Sequence, residues 1–156
     1  MQPEQPILMP MTRYVLDDVA AIEAASFTDP WGYAALEGEL NNPLAYYFVL
    51  MQNGACVGFC GGMDISCEFE ITMLAVHPEQ RRHGFGARLL DALIAHARQL
   101  GDTRIHLEVR ASNAAAISLY TSRGFRQVGQ RRDYYTSPVE DAILMTLELT
   151  ASSQQI

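Results

Sequence analysis

Ala75 to Leu90 reads AVHPEQRRHGFGARLL: a strand-like end, a basic loop with two glycines, and the start of a long helix. The chemistry of such a junction is anion binding. The first N–H groups of a helix have no intrahelical acceptor, and Gly84 and Gly86 let a ligand approach them closely. Arg81 and Arg82 add positive charge, so a nucleotide pyrophosphate suits the loop. No Gly-Lys-Ser/Thr follows, which excludes a Walker loop, and Leu89 stands where a dinucleotide fingerprint has its third glycine. On the loop alone, glycines that merely permit a tight turn deserve roughly half the weight. Other reactive side chains give less. Cys56, Cys60 and Cys67 with His77 could bind zinc, but the first two look like same-face strand positions, and no metal site is expected. His83, His96 and His106 lack a metalloprotease spacing, no Gly-x-Ser-x-Gly is present, and no cysteine stands near a helix N-terminus or a base.

The loop needs a scaffold to position it. Ile7 to Met11 reads as a first strand, and Asp17 to Ser26 as a helix with Val19 and Ile22 on one face. Asp29-Pro30-Trp31 reads as the start of a second short helix that ends near Asn41-Asn42-Pro43. Ala45 to Gln52 and Ala55 to Ile65 make a hairpin across Asn53-Gly54, the strongest short hairpin signal. Phe69 to Val76 is a further strand. Gly84 to Leu100 carries Leu90, Leu93, Ile94, Ala97 and Leu100 at helical spacing, and Gly101 stops it. In Arg104 to Val109, Ile105, Leu107 and Val109 face one way while His106 and Glu108 face the other. Asn113 is a good N-cap for a helix over Ala114 to Arg123, and Phe125 to Tyr135 and Ala142 to Leu149 are two final strands. The expectation is one α/β domain over residues 1–156, with a sheet of about six or seven strands and an ordered core from about 7 to 149. The polar ends, 1–6 and 150–156, are expected to fray.

Composition limits the function classes. The chain has 156 residues, 49% apolar, with a net charge of −7, enough for one real core and too apolar for disorder. The longest apolar stretch, Tyr46 to Met51, is far short of the roughly 18 residues of a span, and no secretory signal is visible. Three cysteines crowded into one stretch make no disulfide framework and fit a reducing cytoplasm. The chain has no lysine, and ten of its 11 arginines fall between residues 80 and 132. Residues 1–79 hold 11 acids and one arginine. That layout offers an anion site in the second half and an acidic surface elsewhere.

Arg81-x-x-Gly84-x-Gly86, after a strand ending in Leu74-Ala75-Val76, resembles the acetyl-CoA motif of the GNAT N-acetyltransferases. LEVRASNAAAISLYTSRGF, Leu107 to Phe125, is similar more narrowly to the RimI branch, which acetylates the N-terminal alanine of a small-subunit ribosomal protein. The runs Arg131 to Tyr135 and Asp29 to Trp31 resemble that branch as well, so the likeness covers Ile7 to Leu149. It implies the GNAT fold, a mixed, mostly antiparallel six- to seven-stranded sheet flanked by about four helices, and acetyl-CoA as co-substrate. It also implies site residues. Leu74, Ala75 and Val76 would bond the pantetheine arm through their backbone, like an added strand. Arg82, His83, Gly84, Phe85, Gly86 and Ala87 would wrap the pyrophosphate, and Asn113 would touch the cofactor further along. Glu108 matches the general base and Tyr120 the general acid. One departure stands out: the branch has a longer loop, with a basic residue, where only Thr136 to Val139 separates Tyr135 from Glu140-Asp141-Ala142. That departure bears on the peptide preference, not on the chemistry.

Spacing agrees with those roles. Asn113 and Tyr120, seven apart on one helix, share a face, and Glu108 lies opposite the apolar trio of its strand. An α-amine, with pKa ~7.7–8.0, costs under about 1.4 kcal/mol to deprotonate near neutral pH, whereas a lysine at ~10.4 costs roughly 4–5 kcal/mol. Glu108, acting through a water, is therefore an adequate base for an N-terminus and a weaker one for lysine. The Leu74 N–H is the candidate oxyanion donor. Trp31, Tyr134 and Tyr135 are candidate walls of a peptide groove, with core packing an equal alternative.

The expected partner is thus the N-terminus of a ribosomal protein, with no membrane and no direct nucleic-acid contact, and a monomer is favoured. A broader peptide or lysine acetyltransferase is the nearest alternative. A non-catalytic ribosome- or RNA-binding module would use the arginines, but the net charge is negative and the arginines follow the cofactor motif. An acyl-CoA sensor without catalysis would not need Glu108 and Tyr120.

Overall fold

The computed structural model describes residues 5–149. Of the ends expected to fray, 1–6 and 150–156, residues 1–4 and 150–156 lie outside them. Among the described residues, seven strands form one sheet in the order β1-β2-β3-β4-β5-β7-β6. They are β1 (Ile7–Pro10), β2 (Ala45–Gln52), β3 (Ala55–Ile65), β4 (Glu68–Val76), β5 (Arg104–Arg110), β6 (Arg126–Thr136) and β7 (Val139–Glu148). Four helices accompany them: α1 (Leu16–Ser26), α2 (Tyr33–Leu40), α3 (Phe85–Leu100) and α4 (Ala114–Ser122). Every strand pair is antiparallel except β4 with β5. This is the mixed, mostly antiparallel architecture the sequence predicts.

The sheet separates two apolar layers. Leu16, Val19, Ile22 and Leu36 pack with Val49, Phe59, Met73 and Ala75 on one face. Leu89, Leu90 and Leu93 pack with Phe69, Ile71, Ile105 and Leu107 on the other. The spacing of its leucines seats α3 on the sheet, and Gly101, at φ +82°, closes it in the left-handed conformation that only glycine adopts cheaply.

One extra residue shapes the centre of the sheet. Gly61 stands opposite Met73 and Gly62 opposite Ile71, so Thr72 is a bulge in β4. Side chains two apart on a strand normally share a face, but here Ile71 joins one core layer and Met73 the other. The two glycines make room for this. A Cβ on Gly61 would lie 2.2 Å from the Tyr47 ring, and one on Gly62 would lie 2.2 Å from the Glu70 carbonyl oxygen. Past the bulge β4 leaves β5. The two pair only at Glu68↔Arg104, Phe69↔Ile105 and Glu70↔His106, and then diverge.

Two expectations need correction. α2 begins at Tyr33, not at Asp29-Pro30-Trp31, because Gly32 (φ +89°) turns the chain and the loop is held from outside. β7 begins at Val139, three residues earlier than Ala142, because β6 and β7 pair up to Thr136↔Val139 and leave a turn of only Ser137 and Pro138.

Candidate active site

The divergence of β4 and β5 opens a cleft of about 820 Å³. Its walls are residues 71–76 of β4, residues 107–110 of β5, the start of α3, one face of α4 and the segment between α1 and α2. On one edge Leu74, Ala75 and Val76 pair with Cys60, Phe59 and Gly58 of β3. Their other edge borders the cleft with no strand beside it, which gives an extended amide chain a place to add itself.

The glycine loop closes one end. Arg82 (φ +69°) and Gly84 (φ +78°) are both left-handed, an alternation that gathers backbone N–H groups into an anion-binding concavity. Arg82, Gly84, Phe85 and Gly86 line the cleft. His83 and Ala87 are not part of its wall, and the His83 ring rests 5.6 Å from that of Phe85. Arg81 ties the end of β4 to α1. Its Nε donates to the Val76 carbonyl (3.1 Å), and a terminal nitrogen donates to Ser26 Oγ (3.3 Å).

Asn113, Tyr120 and Glu108 all line the cleft. Asn113 caps α4, its side-chain oxygen accepting from Ala116 N–H at 3.1 Å. Tyr120 stands two turns on, buried, with its ring 5.6 Å from Phe125. Burial, then the neighbouring Cys60 and Tyr135, pushes its hydroxyl pKa up to about 12. Glu108 projects from β5 on the side away from buried Leu107 and Val109, and Arg131 of β6 sits 3.7 Å from its carboxylate.

The three candidate wall aromatics are not core residues. Trp31 and Tyr135 line the cleft, and Trp31 is half exposed. Tyr134 lies outside the cleft wall, its ring at 5.1 Å and nearly perpendicular to that of Tyr135. Contact with Glu108 first, then burial, raises the Tyr134 hydroxyl pKa.

Several groups at the site have no sequence expectation behind them. Glu23, fully buried, accepts from the N–H of Trp31 (2.8 Å) and of Gly32 (2.9 Å). An acid on the apolar face of α1, beside Val19 and Ile22, was the available signal. Thr72 bonds the Tyr47 hydroxyl (2.8 Å) and the Gly61 carbonyl (3.2 Å), and adjacent glycines inside a strand hint at such a bulge. Arg110 and Glu140 pair at 3.2 Å beside the cleft, and spacing alone could not join them. The cysteines behave as core or turn residues. Cys56 and Cys60 are buried, Cys67 is exposed, and no group of three potential metal ligands occurs among the described residues. No helix among the described residues is long and apolar enough to cross a membrane.

Comparison with known proteins places this geometry. The acetyltransferase (GNAT) family matches residues 16–125. The chain is 40% identical over 136 residues to the ribosomal protein bS18-alanine N-acetyltransferase of Escherichia coli K12, covering 83% of this chain and 88% of that one. It is 38% identical over 141 residues to N-alpha-acetyltransferase RimI of Mycobacterium tuberculosis, covering 86% and 87%. Among solved structures, the E. coli ribosomal-protein-S18-alanine N-acetyltransferase superposes with a TM-score of 0.87 at 33% identity, over 97% of this chain and 98% of that one. Ard1 of Thermoplasma volcanium follows at 0.84 and 27%, over 94% and 99%.

Proposed function

The chain belongs to the acetyltransferase (GNAT) family, whose acetyl donor is acetyl-CoA, and from that premise we propose that it acetylates the N-terminal α-amine, an alanine, of a small-subunit ribosomal protein in the cytoplasm. The observation that carries this is the convergence of Glu108, Tyr120 and the strand-free edge of Leu74 to Val76 on one cleft. The name of the E. coli relative supplies the ribosomal-protein alanine, and that of the M. tuberculosis relative the α-amine.

In this reading the thioester lies along β4 as an added strand, with its pyrophosphate against the loop of Arg82 to Ala87 and its arm passing Asn113. The neutral amine attacks the thioester carbonyl carbon. The Leu74 N–H holds the oxyanion, a donor fixed by the sheet before the reaction starts. Glu108 takes the ammonium proton through a water, which is adequate for an α-amine and poor for a lysine. The carbon–sulfur bond then breaks, giving the acetylated N-terminus and CoA.

Tyr120 faces the leaving sulfur. A phenol near 12 stays protonated at working pH, so its proton is always on offer. Complete transfer to a thiolate of ordinary pKa, ~8.5, is uphill by roughly 5 kcal/mol. The hydroxyl therefore works as a hydrogen-bond donor to the charge developing on sulfur, and the departed thiolate takes its proton from water. Trp31 and Tyr135 wall the acceptor groove, with Tyr134 bracing Tyr135 and Glu108.

The test is CoA release from acetyl-CoA with three acceptors: a peptide beginning with Ala, the same peptide blocked at its N-terminus, and a blocked peptide containing lysine. Turnover with the free N-terminus alone is expected, and Glu108→Gln should abolish most of it. Turnover with the blocked lysine peptide would move the enzyme to lysine acetylation.

A further inference from the structure

Two separate pieces of chain flank the acceptor side of the cleft: the segment between α1 and α2, and the end of the β6–β7 hairpin from Tyr135 to Glu140. They are remote in sequence, and one side chain reaches both. Arg110, the last residue of β5, donates from one terminal nitrogen to the Thr28 hydroxyl (3.2 Å) in the first segment. From the other it donates to the Pro138 carbonyl (3.0 Å) and the Glu140 carboxylate (3.2 Å) in the second. Its guanidinium carbon sits 4.4 Å from the centre of the Tyr135 ring.

We infer that Arg110 is a positioning residue that fixes the spacing between the two walls of the acceptor groove. The inference rests on the function proposed above. A guanidinium is well fitted to this role, because its planar fork holds several acceptors in fixed directions and stacks on an aromatic face at the same time. The network is anchored on the far side as well. Glu140 accepts from the Ser112 N–H, and this contact, followed by Arg110, keeps its carboxyl below the usual carboxylate range. Both partners are largely shielded, with side-chain exposures of 24% and 16%, so the pair is weakly screened by salt. The link from Arg110 to the first wall is a single hydrogen bond, to Thr28. Losing it releases the Thr28 end of that wall without disturbing β5, Glu140 or the glycine loop, while Glu23 still holds the N–H groups of Trp31 and Gly32.

Thr28→Val isolates that joint, since valine keeps the shape and removes the acceptor. With the Ala-initiated peptide, the variant should raise the peptide KM about five- to tenfold, the upper part of the range for one ordinary hydrogen bond. Its kcat should change less than twofold, and its acetyl-CoA affinity should match wild type. Thr28→Ser, which keeps the hydroxyl, should restore the KM. Hydrogen exchange at residues 27–29 should be faster in Thr28→Val and normal in Thr28→Ser, a readout that needs no acceptor. A wild-type KM with unchanged exchange in Thr28→Val would overturn the inference, and so would an equal loss of peptide and acetyl-CoA affinity. If the wild type itself ignores the Ala peptide, the proposed function fails while the exchange comparison still decides the role of Arg110.

Discussion

Glu23 holds Trp31 by its backbone: the carboxylate of one helix accepts the N–H that opens the approach to the next, at 2.8 Å, with Gly32 sharing the same carboxylate at 2.9 Å. A fully buried acid is thereby matched to two backbone donors that α2 cannot satisfy itself. Glu23→Ala should strand both donors and lower stability by about 3 kcal/mol, or some 6–12 °C in Tm. Glu23→Gln keeps one acceptor and should lose about half as much. Thermal unfolding of the two variants checks this ordering.

The bulge at Thr72 makes a second prediction. A methyl group on Gly62 would press on the backbone oxygen of Glu70, which cannot swing away as a side chain could. Gly62→Ala should cost at least 1–3 kcal/mol, roughly the range for overpacking, and should weaken acetyl-CoA binding by distorting the mouth between β4 and β5. Calorimetric affinity equal to wild type would separate the bulge from the cleft.

Tyr120→Phe removes the hydroxyl from a buried ring and leaves its packing on Phe125. Turnover should fall by about a hundredfold with little change in acetyl-CoA affinity. Because that hydroxyl titrates near 12, it should impose no descending limb on the rate between roughly pH 8 and 10. The profile should instead rise through the acceptor amine, ~7.7–8.0, and level off. A fall above pH 8 that vanishes in Tyr120→Phe would contradict this role.

Stability should depend on pH through a site far from the cleft. Asp102 is buried beside Asp64, and burial first, then that neighbour, pushes its carboxyl pKa up to about 7. In the unfolded chain the same group titrates near ~3.9. Between those values the folded protein binds a proton that the unfolded chain does not, so stability falls as pH rises through the window. Asp102→Asn, neutral throughout, should raise Tm by a few degrees at about pH 8 and change it little near pH 5. Unfolding scans at the two pH values decide the matter.

What the sequence made legible was whatever depends on near neighbours. The leucines of α3, the Asn53-Gly54 hairpin and the Asn113 cap are local patterns, and each appears where its spacing predicts. The start of α2 was misplaced because the groups that hold it, Glu23 and Gly32, act across a loop and through a positive φ. The bulge at Thr72 was missed for a similar reason: it is defined by register against β3, not by the residues of β4. In the site, the glycine loop, Glu108, Asn113 and Tyr120 were visible as motif residues, and all line the cleft except His83 and Ala87 of the loop. Arg110 and Glu140 meet only because β5 and β7 pair, so no spacing in the chain could announce them.

The abrupt end of the β4–β5 ladder separates two kinds of inheritance. On the proposed reading, the donor is recognised by main-chain groups at 74–76, which every residue but proline possesses. Substitutions there can drift without changing which thioester carrier fits. The acceptor meets side chains instead (Trp31, Tyr135 and the groups that hold them), and these can be exchanged one at a time. A sheet left open at this point therefore lets one scaffold keep its donor while its descendants acquire new acceptors.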